Sequence, residues 1–211
     1  SPSANSRFSN VKVYEAYGGT PAPVAPTAGG DAFTVNEDAQ ATTLNVLAND
    51  DDGGGDLAIQ SVSGGSAGGT INISGGQNIT YRPAADFFGT ETFTYTVTNE
   101  AGSSTATVTI NVQSVNDAPT AVGDAFTVDE GSQNNVFDVL ANDTFSPDVN
   151  ETLRVVSVGS GSAGGTITTD GNRIYYTPAA GFSGTETFNY TLGDGTPGST
   201  DAATVTVTVE P

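Results

Sequence analysis

The chain has 211 residues, with 24 acidic against five basic side chains, a net charge of −19 and no cysteine, histidine or tryptophan. Nucleic acid and anionic membrane surfaces repel such a polyanion, so neither is expected as a partner. A disulfide framework is excluded, and no run of about 18 apolar residues is present to insert into a bilayer.

The first segment in chain order is residues 1–19. Within it Arg7–Tyr14 alternates apolar and polar positions, which predicts one isolated strand. A lone strand has no core of its own, so residues 1–19 are expected to be the last strand of a truncated preceding domain. Residues 20–30 follow, where Pro21, Pro23 and Pro26 stiffen the middle and Gly29 and Gly30 loosen the end, the composition of an interdomain linker.

From Asp31 onward the sequence repeats itself. Asp31–Glu37 (DAFTVNE) returns as Asp124–Glu130 (DAFTVDE), and Leu47–Asp50 (LAND) as Leu140–Asp143. Ser66–Thr70 (SAGGT) returns as Ser162–Thr166, and Gly89–Phe93 (GTETF) as Gly184–Phe188. The offsets of 93, 93, 96 and 95 residues define one unit, duplicated as 31–114 and 115–211. A period of about 95 residues is too long for a solenoid and fits one β-sandwich domain.

In the first copy, period-two alternation and turn residues predict strands at 32–36, 42–47, 58–63, 69–74, 78–83, 89–99 and 103–113. Their inward positions include Phe33, Val35, Leu44, Val46, Ile71, Ile73, Ile79, Tyr81, Phe93, Tyr95, Val97, Val108, Ile110 and Val112. No helical period competes. The expected class is all-β, two tandem Greek-key seven-stranded sandwiches joined end to end by the short linker Ser114–Thr120.

Acidic residues gather in the loops. Asn49–Asp56 carries Asp50, Asp51, Asp52 and Asp56 among glycines. It reads either as a solvated acidic turn or as a loop whose oxygens converge on calcium. In an antiparallel sandwich, strand ends alternate between the two tips. Glu37, Asp86, Asn116, Asp117, Asp143 and Asp148 are therefore expected to converge near the linker, with no basic residue among them. Such a group is costly unless a cation binds. These six, together with Asp50, Asp52 and Asp56, are the candidate ligands, and Ca2+ is the expected cofactor.

The motifs Val-x-Glu, Leu-Ala-Asn-Asp, Tyr-x-Pro, Phe-x-Gly-Thr-Glu-Thr-Phe-x-Tyr and Val-Asn-Asp-Ala-Pro cover residues 31–210. This arrangement resembles the bacterial cadherin-like, Ig-like tandem repeats of secreted adhesins and multimodular polysaccharide-acting proteins. The resemblance implies Ig/cadherin-like, calcium-stabilised sandwiches strung as rods. The family's loop pattern, Asn-Asp-x-Asp-x-Asp-Gly-Asp, is matched by Asp50, Asp52 and Asp56, with Gly54 in place of one acid. Phe145 and Pro147 interrupt it in the second copy. The phrase Phe8–Tyr14 resembles the closing strand of jelly-roll sugar-binding or sugar-cleaving modules.

The function expected from this reading is a non-catalytic, calcium-stabilised extracellular spacer or adhesion module that rigidly positions neighbouring domains. The alternative is a carbohydrate-binding accessory module of a secreted polysaccharide-degrading enzyme. Phe88 and Phe145, loop aromatics with no aromatic counterpart in the other copy, are its candidate ligand residues. Catalysis is not expected: the single lysine, Lys12, lies outside both repeats, so a hydroxyl nucleophile lacks a histidine or lysine base. The expected partners are adjacent domains of the same chain and polysaccharide. A monomer is expected, secreted or at the bacterial cell surface, with any export signal upstream of Ser1.

Overall fold

A computed structural model describes residues 22–211, and the strand expected at 7–14 lies outside them. The first repeat contains β1 (Asp31–Asn36), β2 (Thr42–Leu44), β3 (Ala58–Val62), β4 (Thr70–Ser74), β5 (Asn78–Arg82), β6 (Gly89–Asn99) and β7 (Gly102–Gln113). The second contains β8 (Asp124–Asp129), β9 (Asn135–Phe137), β10 (Arg154–Val158), β11 (Thr166–Thr169), β12 (Ile174–Thr177), β13 (Gly184–Gly193) and β14 (Thr200–Glu210). Among the described residues no helix is long and apolar enough to cross a membrane.

Both repeats build the same two sheets. A four-stranded sheet runs β1-β7-β6-β3 in one copy and β8-β14-β13-β10 in the other. A three-stranded sheet runs β2-β5-β4 and β9-β12-β11. In the second repeat β8 lies parallel to β14, with Asp124 opposite Val205, while β13 pairs antiparallel with both β14 and β10. First and last strands can be parallel neighbours only if the chain crosses between the sheets, so the unit is a sandwich rather than a meander.

Strand alternation supplies the core. Along β6, Glu91, Phe93, Tyr95 and Val97 are buried while Thr94 is exposed, and on β7 Val108, Ile110 and Val112 face inward. Each large side chain removed from water contributes about 1.5–3 kcal/mol. In the second repeat the Phe126 and Phe137 rings stack with centroids 4.1 Å apart. The stack continues through Tyr176 at 5.7 Å and Phe188 at 6.3 Å. Leu44 stands at the place of Phe137 in the first repeat and interrupts the equivalent column.

Two local expectations are corrected. The strand expected at 42–47 ends at Leu44, and Val46–Asn49 forms a 3-10 turn. That turn buries Val46 and aims Asp50 inward, which a continued strand would not do. Ile73, expected inside, is 37% exposed, because it lies on β4, the edge strand of its sheet, whereas its partner Ile79 on the central β5 is fully buried.

Contacts resolve the chain into two compact units. One comprises the described residues up to Phe33 with Ala41–Arg82 and Glu91–Ile110. The other comprises Thr34–Gln40, Pro83–Thr90 and Asn111–Pro211. The turn after β1 and the loop before β6 therefore belong with the linker and the second repeat.

Candidate metal centre

Glu37 follows β1, where its N–H donates to the Gln113 carbonyl at 2.8 Å. Its side chain is 2% exposed, and Oε1 accepts from the Val115 N–H at 2.6 Å. Asp148 is buried as well; its Oδ2 accepts from the Asp117 N–H at 2.7 Å, and its Oδ1 from the Ser114 hydroxyl at 3.4 Å. The carboxylate oxygens of Glu37, Asp117 and Asp148 lie within 4.8 Å of one another. A second triplet, Asp38, Asp86 and Asp117, has the same spread and shares Asp117. Asp38 and Asp86 hold left-handed backbone at φ 56° and 57°, a conformation in which aspartate is enriched among non-glycine residues.

The electrostatics of this group are one-sided. Burial first, then the charges of Asp38, Asp148, Glu37 and Asp86, push the Asp117 carboxyl above the ordinary aspartate value. Burial, followed by Asp194, Asp148 and Asp117, likewise raises Glu151. Three carboxylate oxygens here, Glu37 Oε2, Asp117 Oδ2 and Glu151 Oε2, are buried without a hydrogen-bond partner. Buried polar atoms are ordinarily satisfied, and crowded unpaired charges are destabilising. The donor set is all oxygen, so it fits a hard divalent cation. Five carboxylates in an irregular array suit the larger, more flexible coordination of Ca2+ better than the strict octahedron of Mg2+.

The other sequence candidates stand elsewhere. Asn116 is turned away, donating to Asp194 at 3.1 Å and to the Ser199 hydroxyl at 3.0 Å while its own oxygen accepts from Thr196. Burial raises the neighbouring Asp194, but hydrogen bonds from Ser199, the Thr196 N–H and Asn116 outweigh it and hold that carboxyl below the usual value. Asp143 is not brought into the group. Its carboxylate accepts from the Tyr190 hydroxyl at 2.9 and 3.0 Å and from the Val122 N–H at 2.7 Å. Asp50 does the same in the first repeat, accepting from Tyr95 and, at 2.7 Å, from the Gly29 N–H. The repeated Leu-Ala-Asn-Asp motif thus ties the approach to the first strand onto the tyrosine of β6 or β13.

Asp52 closes a local turn by accepting from the Gly54 N–H at 2.8 Å, and Asp56 is exposed. Neither belongs to a metal-compatible group among the described residues. Thr27 pairs with Asp51, and the Asn99 amide donates to the Val24 carbonyl, so part of 22–30 lies along this loop. Phe88 and Phe145 are half-buried, and neither counts among the exposed large hydrophobic residues.

Sequence reasoning missed Asp38 within this centre, and Glu151 and Asp194 beside it. Asp38 had a signal, since it doubles the acid at the end of β1. Asp194 opens the turn between β13 and β14, where the first copy has the uncharged Asn99, so the repeat itself hid it. Also missed was a buried pair outside the centre, Glu91 and Glu186. Glu91 accepts from the Ala67 and Gly69 N–H groups at 3.0 and 2.9 Å and from the Tyr81 hydroxyl at 2.5 Å. Glu186 repeats this with Ala163, Gly165 and Tyr176.

A family model for the bacterial Ig domain matches residues 22–111 and again residues 116–208. No curated protein sequence matches the chain. Among solved structures, human protocadherin-24 EC1-2 (form II) is similar at 16% identity, covering 89% of this chain and 99% of that one, with a TM-score of 0.54. Drosophila N-cadherin EC1-4 is similar at 11% identity over 87% of this chain and 49% of that one, with a TM-score of 0.56. At such identities the likeness is one of fold, and that fold is two tandem Ig/cadherin-like sandwiches. An endo-fucoidan hydrolase from glycoside hydrolase family 107 aligns at 19% identity over 87% of this chain, with a TM-score of 0.34. The chain spans only 28% of the length of that structure.

Proposed function

Because the chain belongs to the bacterial Ig domain family, in two tandem copies, we propose that it serves as a non-catalytic, calcium-stabilised extracellular spacer or adhesion module. The observation that supports the calcium reading most strongly is the pair of buried, unpartnered oxygens, Glu37 Oε2 and Asp117 Oδ2, in one group of carboxylates. In this reading Ca2+ ties together the turn after β1, the loop before β6, the linker at Asp117 and the loop carrying Asp148. The joint is then held in one arrangement, and neighbouring domains are spaced or presented at the cell surface. The non-catalytic part rests on the absence of histidine and cysteine from the sequence and on the inward, structural bonding of Asp50 and Asp143.

Calcium sites of extracellular modules have dissociation constants of roughly 10⁻⁴ to 10⁻³ M. At tenfold excess, one such site adds about 1.4 kcal/mol to the folded state. For a cooperative unit of ~100 residues this is a rise of roughly 6–11 °C in Tm. Calorimetry in EGTA and in 10 mM calcium measures it. Asp117→Asn is expected to raise the Tm in EGTA by relieving repulsion, and to remove most of the calcium-dependent rise. Equal melting in both buffers for the parent chain would remove calcium from the function.

A further inference from the structure

The outer face of the sheet β9-β12-β11 differs from its counterpart in the first repeat. Pairing aligns Thr168, Tyr175 and Val136 in one row across its three strands. The matching row of the first repeat is Asn72, Thr80 and Thr43. Thr80 and Thr43 of the first copy are therefore replaced in the second by an aromatic ring beside an isopropyl group, while Asn72 gives way to Thr168. Val136 is 52% exposed, although it sits at the centre of its strand.

The surroundings of the ring are organised. The Tyr175 hydroxyl donates to Asp170 Oδ2 at 2.8 Å. Asp170 Oδ1 accepts from the Asn172 and Arg173 N–H groups at 2.9 and 2.8 Å. These bonds, those from the backbone first, keep the Asp170 carboxyl below its ordinary pKa, so it stays an anionic acceptor. Alternation along the strands puts Arg173 and Asp138 on the same outer face as Tyr175 and Val136. Their side chains form an ion pair at 3.5 Å and are each about half exposed, at 48% and 53%. A half-buried aromatic ring thus stands beside an exposed valine on this face, with a fixed carboxylate at its hydroxyl and a guanidinium–carboxylate pair on the same face.

We propose that this face of the second repeat is a platform for one or two neutral pyranose units of a polysaccharide, which stack on Tyr175 and Val136 while Asp138, Asp170 and Arg173 bond their hydroxyls. Size selects a sugar over a protein. Three strands about 4.8 Å apart and four residues of about 3.3 Å rise span roughly 10 by 13 Å. That is far below the ~800 Å² per partner of a stable protein interface. Charge selects a neutral sugar, because two acids and one base leave the rim anionic on a chain of net charge −19. A pyranose offers an apolar C–H face ringed by hydroxyls, the complement of a ring flanked by fixed donors and acceptors. The platform shares no residue with the metal centre.

The test is isothermal calorimetry and affinity electrophoresis of the whole chain in EGTA. The probes are laminarin, agarose oligosaccharides and chitohexaose as neutral glycans, with alginate as the acidic comparison. At least one neutral glycan is expected to bind with millimolar or lower Kd, and alginate more weakly. Tyr175→Thr, which installs the residue found in the first repeat, is expected to weaken binding at least tenfold with little change in Tm. Val136→Thr should weaken it several-fold. Silence from all three neutral glycans, stronger binding of alginate, or binding that survives Tyr175→Thr overturns the proposal, whatever calcium does to stability.

Discussion

Asp124 begins β8 beside Asp143, whose carboxylate takes the Tyr190 hydroxyl, and Asp124 Oδ2 is buried without a partner. Burial first and the Asp143 charge second push the Asp124 carboxyl up to about 6, and the nearby Tyr190 and Asn142 donors only partly offset them. The folded-state pKa is above the unfolded one, so the folded chain holds this proton more tightly. Its stabilising effect is fully present below about pH 4 and is lost as pH rises through about 6. Asp124→Asn is therefore expected to raise the Tm in EGTA at pH 7, and to flatten the stability profile between pH 4 and 6. The gain is on the order of 1 kcal/mol once solvent screening of a partly exposed group is allowed for. Circular-dichroism melts across that range measure it, and a lower Tm at pH 7 would contradict the repulsion account. Asp31, raised by burial and by Asp50, occupies the equivalent place in the first repeat.

At the scale of strands and loops, Glu91 and Glu186 join the two sheets' connections. Each side chain rises from a long central strand and takes two N–H groups of the Ser-Ala-Gly-Gly-Thr loop together with a tyrosine hydroxyl. The loop glycines are required there: a Cβ on Gly165 would stand 2.5 Å from Glu186 Oε2 and 2.6 Å from the Tyr176 ring. Glu186→Ala would leave three donors buried without acceptors, so a loss of about 3–5 kcal/mol is expected in urea unfolding. Glu186→Gln keeps an oxygen for the two N–H groups and lets its amide donate to the tyrosine oxygen, so about 1 kcal/mol is expected. Equal losses would place the effect in packing rather than in hydrogen bonding. This clamp shows where sequence reading reaches its limit. The alternation of β6 and β7 was plain, since threonine outside and aromatic or β-branched residues inside follow a period of two. A glutamate on the inward face reads as an exception to that pattern. Only the joint return of SAGGT and GTETF in both copies hinted that the two motifs meet. The convergence of Glu37, Asp86, Asp117 and Asp148 followed from strand direction alone. Asp50 and Asp143 were misplaced because each is claimed by a tyrosine more than forty residues further along.

For the chain as a whole, a net charge of −19 makes self-repulsion a standing cost that divalent cations relieve, and the compact units show where relief would act. The unit that contains the second repeat also contains Thr34–Gln40 and Pro83–Thr90 from the first. A fragment of residues 115–211 therefore keeps Asp117 and Asp148 but loses Glu37, Asp38 and Asp86, three of the five carboxylates in the two triplets. It keeps every strand of its own sandwich, so folding should survive the cut. Calcium affinity should not. Calorimetric titration is expected to give the fragment at least a tenfold weaker site than the whole chain, or about 1.4 kcal/mol. Adding residues 22–114 as a separate chain at micromolar concentration should not restore it, because the covalent linker supplies an effective concentration in the millimolar range. Equal affinity in the fragment would mean that the ligands lie within residues 115–211, with Glu151 and Asp194 the remaining acids beside Asp148. The turn after β1 would then carry a left-handed aspartate and a buried glutamate for some reason other than the metal.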